Sequence, residues 1–307
     1  MPTATAAQPP RPFGTVLSAM VTPFRPDGSL DLAAAGALAG HLVDTGHDGL
    51  VVSGTTGESP TTSDQEKDAL LRTVLDAVGD RATVVAGVGT NDTRHTVELA
   101  RAAEKAGAHG LLVVTPYYNK PPQAAVLAHF ETVADATGLP VMLYDIPGRS
   151  GVPIATETLV RAAEHHRIVA VKDAKSDLYG TSQVLARTDL AYYSGEDALN
   201  LPLLALGGSG IVSVVSHVAG REYARMIAAV DAGDLLTARR LNAQLLPAVR
   251  GIMTRTQGAV AVKAALEATG VLAGRTVRQP LLAATAQEVE AVRADLELAG
   301  LTAAPGA

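Results

Sequence analysis

The chain has 307 residues, a length that suits one large α/β domain or a barrel with an appendage. Hydrophobic residues make up 47% but aromatics only 3%, and Trp is absent, so the core must be aliphatic, which fits parallel strands buried on both faces. A net charge of −6 without a run of Lys and Arg speaks against a nucleic-acid surface, and the lack of cysteine removes disulfides, thiolate nucleophiles and Cys-ligated metals together.

Residues 1–12 (MPTATAAQPPRP) have neither a basic start nor an apolar run of signal-peptide length. They read as a disordered tail. No unbroken apolar stretch of about 20 residues exists to span a bilayer, so a soluble, cytoplasmic protein is expected. After the tail, short apolar runs of β type alternate with helical patterns. The runs are 15–21, 49–53, 83–88, 110–114, 140–144, 168–172, 190–194 and 211–215. They recur at the spacing of a βα unit, and eight such units predict a parallel sheet closed into a barrel. Between them, Ser63 and Glu66 form a capping box ahead of the amphipathic run 68–78. The pattern 93–106 ends at Gly107, and 156–164 follows Pro153. Strand signals stop near residue 234. The segments 235–246, 260–269 and 286–298 read as helices, separated by Pro247, Gly270 and Pro280. The expected architecture is a (β/α)₈ TIM barrel over residues 13–233 with a C-terminal helical domain over 234–307.

In barrel enzymes the reacting groups sit at the C-terminal ends of the strands and in the loops that follow. Lys172 ends the run Ile168-Val169-Ala170-Val171, so apolar barrel wall surrounds it. Desolvation disfavours the ammonium form, and a neutral amine attacks carbonyls, as Schiff-base catalysis requires. The plainer reading is a strand-end lysine that reaches solvent or pairs with Asp173. The other five lysines fall on helices (Lys67, Lys105, Lys263) or in polar loops (Lys120, Lys175). Tyr144 ends Val141-Met142-Leu143, where its phenol either relays protons or caps the barrel mouth. The turn Gly54-Thr55-Thr56-Gly57 joins a strand to a helix, and its exposed N–H groups suit a carboxylate. Arg149, in Pro147-Gly148-Arg149-Ser150-Gly151, could hold a carboxylate bidentately or simply form a surface salt bridge. Of the adjacent Tyr117 and Tyr118, at most one should serve a given site. Gly87-Val88-Gly89 lacks the full spacing of a dinucleotide loop, and Gly207-Gly208-Ser209-Gly210 precedes a strand, at the non-catalytic end. The eight histidines are scattered and no HExxH spacing occurs, so no metal centre is expected.

With these residues in place, the sequence resembles the dihydrodipicolinate synthase (4-hydroxy-tetrahydrodipicolinate synthase) family, within the N-acetylneuraminate lyase superfamily. The matching segments are Gly-Thr-Thr-Gly-Glu-Ser at 54–59, Thr-Pro-Tyr-Tyr-Asn-Lys-Pro at 115–121 and Leu-Tyr-Asp-Ile-Pro-Gly-Arg-Ser-Gly at 143–151. Val-Lys-Asp-Ala at 171–174, Tyr-Ser-Gly-Glu-Asp at 193–197 and Gly-Ile-Val-Ser-Val at 210–214 continue the series in order. The resemblance implies a Schiff base between Lys172 and pyruvate, with no separate cofactor. It implies a proton relay of Tyr144, Thr55 and Tyr118, with Tyr118 reaching into the neighbouring subunit. Backbone groups of Thr55 and Thr56 would hold the pyruvate carboxylate, and Arg149 that of L-aspartate 4-semialdehyde. Gly195 and Val212 would line the pocket near Lys172. The implied assembly is a homotetramer, a dimer of dimers, in lysine and diaminopimelate biosynthesis.

Asp173 stands where many relatives carry Glu, and Gln123-Ala124-Ala125 replaces a glycine-containing stretch, but the larger departure from the family pattern concerns the feedback site for L-lysine. Ser59, Asn91 and Tyr117 match it. Positions 64 and 67, often His in regulated relatives, are Asp64 and Lys67, and His95 stands where an acidic residue is expected. Losing a carboxylate and gaining Lys67 should weaken binding of a cationic effector. Two other functions are weighed: a sister pyruvate-dependent aldolase of the sugar-acid or N-acetylneuraminate lyase type, and a catalytically idle keto-acid-binding relative. Arg149 argues against the first, because a sugar aldehyde calls for neutral partners there. The complete lysine–tyrosine–threonine set argues against the second.

Overall fold

The computed structural model describes residues 8–301. Its strands are β1 (Val16–Ala19), β2 (Gly49–Val52), β3 (Thr83–Gly87), β4 (Gly110–Val114), β5 (Val141–Asp145), β6 (Ile168–Asp173), β7 (Ala191–Ser194) and β8 (Gly210–Ser213). They pair in sequence order, all parallel, and β8 closes on β1. This is the (β/α)₈ barrel the alternation predicts. The helices are α1 (Leu32–Asp44), α2 (Asp64–Val78), α3 (Thr93–Ala106), α4 (Gln123–Asp135), the short α5 (Pro147–Ser150), α6 (Thr156–Ala162), α7 (Leu178–Leu185), α8 (Asn200–Ala205) and α9 (Ser216–Asp231). Three more follow the last strand: α10 (Leu235–Met253), α11 (Gly258–Ala268) and α12 (Ala286–Leu298). Among the described residues no helix is long and apolar enough to cross a membrane.

Local chemistry accounts for the helix ends. Ser63 accepts from Glu66 N while Glu66 accepts from Ser63 N, so the expected capping box forms and starts α2. α3 stops at Gly107, which takes a φ of +94° that an L side chain rarely adopts. One boundary differs from the sequence reading. Pro247 does not separate two helices but lies inside α10. A proline there removes one hydrogen bond, at a penalty of ~3 kcal/mol. Leu241, Leu245, Ala248 and Ile252 offset it by being buried on the flanking turns.

The core is chiefly Val, Leu, Ile and Ala, with Tyr192, Tyr193, Tyr223, Phe13 and Phe130 among its largest fully buried side chains. Phe13 plugs the N-terminal end of the barrel. Its N–H donates to the Tyr193 hydroxyl, which in turn donates to Gly14 O at 3.0 Å. Residues 1–7 of the tail lie outside the described residues. Within its remainder, Arg11 is held by Ser209 O (2.9 Å) and Asp231 (2.7 Å).

Two buried imidazoles lock the junction of β1, α1 and α9. His217 receives Val21 N–H at Nε2 (3.2 Å) and faces Val214 O with Nδ1 (2.8 Å), which requires the neutral ring. His47 faces Leu42 O with Nδ1 (2.7 Å), and its Nε2 has no partner. Burial pushes His47 down to about 4 and His217 down to about 3. The unfolded rings take up protons below about pH 6.5 that the folded rings refuse, so their contribution is present above that pH and is lost as pH falls toward 4. Urea midpoints should therefore fall between about pH 6.5 and pH 4, and His217→Gln should lose less of its own stability over that interval. Equal pH dependence in the two proteins would contradict this.

Candidate active site

The β5–β6 pairing decides which side chains face the barrel axis. Val141 opposes Ile168, but Met142 opposes Ala170, so Val169 is an extra residue in β6. The slip brings Tyr144 opposite Lys172 and Asp145 opposite Asp173. Registered residues in parallel strands share a face. The phenol and the amine therefore project together, and the two carboxylates turn to the helical layer. Lys172 is buried, with Nζ 4.2 Å from the centroid of the Tyr144 ring. The alternative pairing of Lys172 with Asp173 does not occur, because Asp173 accepts from Lys175 N, Ser176 N and Thr181 Oγ1. Gly195 makes room for the lysine stem. A Cβ at that position would lie 2.9 Å from both Cγ and Cε of Lys172.

Beside Tyr144 opens a cleft of about 250 Å³. Thr55, Tyr144 and Arg149 all line it, together with Tyr117, Ser59, Ile146 and Val114. The 54–57 turn is drawn toward the barrel by Thr22, whose hydroxyl donates to Gly57 O at 2.7 Å. Among the described residues the N–H groups of Thr55 and Thr56 meet no backbone acceptor, so they remain available for an anion. Arg149 sits on the one-turn α5, is exposed, and forms no ion pair among the described residues. Its surface salt-bridge reading thus finds no support. The turn of glycines at 87–89, weak as a nucleotide motif, has a packing reason. A Cβ at Gly89 would lie 2.4 Å from Val114 N, so only glycine lets β3 and β4 end side by side under the cleft.

Not every expected residue gathers there. Lys172 and Gly195 stand at the strand ends behind Tyr144, Thr56 is buried beside Thr55 and Val212 is buried in β8, and none of the four lines the cleft. Tyr118 points away. It is 90% exposed, on a backbone with φ +72°, a conformation unusual for an aromatic residue. Behind the strand ends lies a pair absent from the sequence reading, Asp145 and Lys175. Lys175 Nζ is 3.0 Å from Asp145 Oδ2 and donates to Ile154 O, and burial pushes the Asp145 carboxyl up to about 6 against the pull of that lysine. Period-two alternation after Tyr144 was the available signal for Asp145. Lys175 carried none. Among the described residues no group of three His, Asp or Glu side chains could hold a metal ion.

Comparison with known proteins agrees with this geometry. The model of the dihydrodipicolinate synthetase family matches residues 12–299. The chain is 81% identical over 305 residues to the 4-hydroxy-tetrahydrodipicolinate synthase of Kineococcus radiotolerans, covering 99% of each sequence. The structure of dihydrodipicolinate synthase from Cyanidioschyzon merolae with lysine bound aligns with TM-score 0.92 at 41% identity, over 95% of this chain and 100% of that one. The chloride-inhibited dihydrodipicolinate synthase of Acinetobacter baumannii complexed with pyruvate aligns with TM-score 0.90 at 33% identity, over 94% and 99%. With family-wide similarity along nearly its whole length and a lysine-bearing barrel mouth, the chain belongs to the dihydrodipicolinate synthetase family.

Proposed function

We infer that the protein condenses pyruvate with L-aspartate 4-semialdehyde to 4-hydroxy-tetrahydrodipicolinate, a lyase reaction of diaminopimelate and lysine biosynthesis. The observation that carries the mechanism is the Lys172 amine, buried at the end of β6 against the Tyr144 ring. In this reading the amine adds to C2 of pyruvate, and loss of water from the carbinolamine leaves the imine. Tyr144 and Thr55 move the protons of these steps. The Thr55 and Thr56 N–H groups hold the pyruvate carboxylate, and Gly195 and Val212 bound the space beside the lysine. Removal of a C3 proton gives the enamine, whose C3 attacks the aldehyde carbon of the second substrate. Arg149 holds that substrate's carboxylate. Its amino group then attacks the imine carbon and displaces Lys172, closing the ring and freeing the amine. No cofactor enters this sequence.

For the assembly, Tyr118 is the supporting feature. Its phenol is 90% exposed on a left-handed backbone, and such strain persists where surroundings hold it. We place it in the site of a neighbouring subunit, where it completes the relay. Tyr179, 76% exposed at the start of α7, supports a second contact and hence a dimer of dimers. Residues 13–233 then form the catalytic barrel and 234–301 the helical appendage, while 302–307 of the expected span lie outside the described residues.

Borohydride added with pyruvate should leave a reduced adduct on the peptide containing Lys172, and Lys172→Met should leave none. Gly195→Ala, which crowds the stem, should slow adduct formation at least tenfold, and Tyr144→Phe should lower kcat by about 10²–10⁴. A wild-type protein that makes product without an adduct at Lys172 would end the Schiff-base reading.

Feedback is expected to be weak. Asp64, the one acidic side chain at the altered positions, pairs with His95 (2.9 Å), and Lys67 donates to Thr62 O (2.5 Å). Two basic side chains therefore stand where an ammonium effector would need carboxylates. Initial rates should change little across millimolar L-lysine, and Lys67→His combined with His95→Glu should increase the sensitivity. Half-maximal inhibition of the unaltered protein at sub-millimolar lysine would contradict this.

A further inference from the structure

The loop that carries Thr55 and Thr56 is anchored outside the barrel by charges that no step above uses. Glu58, in the left-handed region (φ +56°), turns its side chain away from the cleft. Its carboxylate receives Lys263 Nζ at 2.5 Å and Arg278 N at 2.9 Å. Lys263 comes from α11, behind the barrel. Its side chain is 1% exposed and that of Glu58 is 2% exposed, so both charges are dry. Lys263 also donates to Thr276 O (2.8 Å) and lies 4.4 Å from the centroid of the Phe24 ring. The Arg278 guanidinium covers the same ring at 4.3 Å. It donates to Gly28 O, Thr61 O and both oxygens of Glu66, the residue that caps α2. So the loop between β2 and α2 is gripped at Glu58 and Thr61, and the first turn of α2 at Glu66, by two cations of the C-terminal segment.

We propose that Lys263 and Arg278 are positioning residues for the reaction, holding Thr55 and Thr56 in register with Lys172 through Glu58 and Glu66. The geometry gives the reason. Lys172 and Tyr144 are fixed by strand ladders, but the threonines stand on a loop, and a displacement of about 1 Å can lower a rate 10²-fold. A buried ion pair is a poor source of net stability, since desolvating both charges offsets their attraction. A fixed distance between two layers is what such a pair supplies well. Arg278 also holds the Glu66 carboxyl down at about 2, so this side of the grip stays charged at any working pH.

The proposal rests on the Schiff-base reading, and borohydride trapping of the unaltered protein checks that reading first. The variants are Lys263→Met, Glu58→Gln with Lys263→Met, and the milder, part-exposed Glu66→Gln. Each is assayed per Lys172 site that pyruvate and borohydride can label, so that unfolded protein is not counted. Lys263→Met should raise the pyruvate KM and lower kcat per site, each about tenfold or more. The double variant removes the uncompensated carboxylate, so its Tm should recover while KM and kcat do not. Glu66→Gln should shift both constants several-fold in the same directions with little change in Tm. A merely structural pair would behave otherwise: Tm would fall, and constants per labelled site would stay at their starting values. That result in the double variant and in Glu66→Gln would overturn the proposal, even if Lys263→Met does not fold.

Discussion

Val169 sets the chemistry by adding one residue to β6. Without the slip there, with Val169 paired opposite Met142, Tyr144 would oppose Val171, and Lys172 would face the helical layer. With it, two polar side chains enter the barrel mouth from neighbouring strands, and Asp145 and Asp173 leave it. The slip separates the charges that help catalysis from those that would spoil it. A carboxylate in the barrel mouth would repel the carboxylates of both substrates. Instead Asp173 is spent on Lys175 N, Ser176 N and Thr181, and Asp145 on Ile154 N and Lys175.

The same separation explains why small residues collect at the C-terminal end of the barrel. Gly195 leaves space for the Lys172 stem, and Gly89 lets β3 approach β4. Neither glycine is there for turning alone. Each clears volume under a cleft that must admit two small molecules and exclude most water. At the opposite end, Phe13, Tyr193 and Arg11 join residues 11–14 to β7, to Ser209 just before β8, and to α9.

What the sequence made legible follows from how local each signal is. Eight apolar runs at βα spacing are local, and so is the Ser63–Glu66 capping box. Both appear where expected. α1 and α4 gave weaker signals. The first reads LAAAGALAGHLVD, with glycines and alanines that blur its polar face, and the second follows Pro122 without a side-chain cap. Pro247 misled because its local cost is real but tertiary burial outweighs it. Lys172 and Tyr144 were visible as polar ends of apolar strands, yet their shared face depends on a bulge that no local pattern announces. Glu58 and Lys263, 205 positions apart, could not be paired from sequence at all.

Placement of the groups proposed to react therefore draws on three kinds of rigidity. Strand-borne groups take theirs from the hydrogen-bonded ladder, so Lys172 and Tyr144 need no further support. Arg149 stands on a single helical turn between β5 and α6, with Ser150 closing that turn through Ile146 O and Val152 O. It is exposed where Thr55 is only partly so and Tyr144 is buried, as suits the role proposed for it with the second substrate. Thr55 and Thr56 have neither ladder nor helix. Their loop is fixed from behind by Glu58, Lys263 and Arg278, and from below by Thr22. In the proposal above, a C-terminal layer that among the described residues forms no hydrogen bond with the cleft lining still sets the rate, because it supplies the one coordinate that the barrel leaves free.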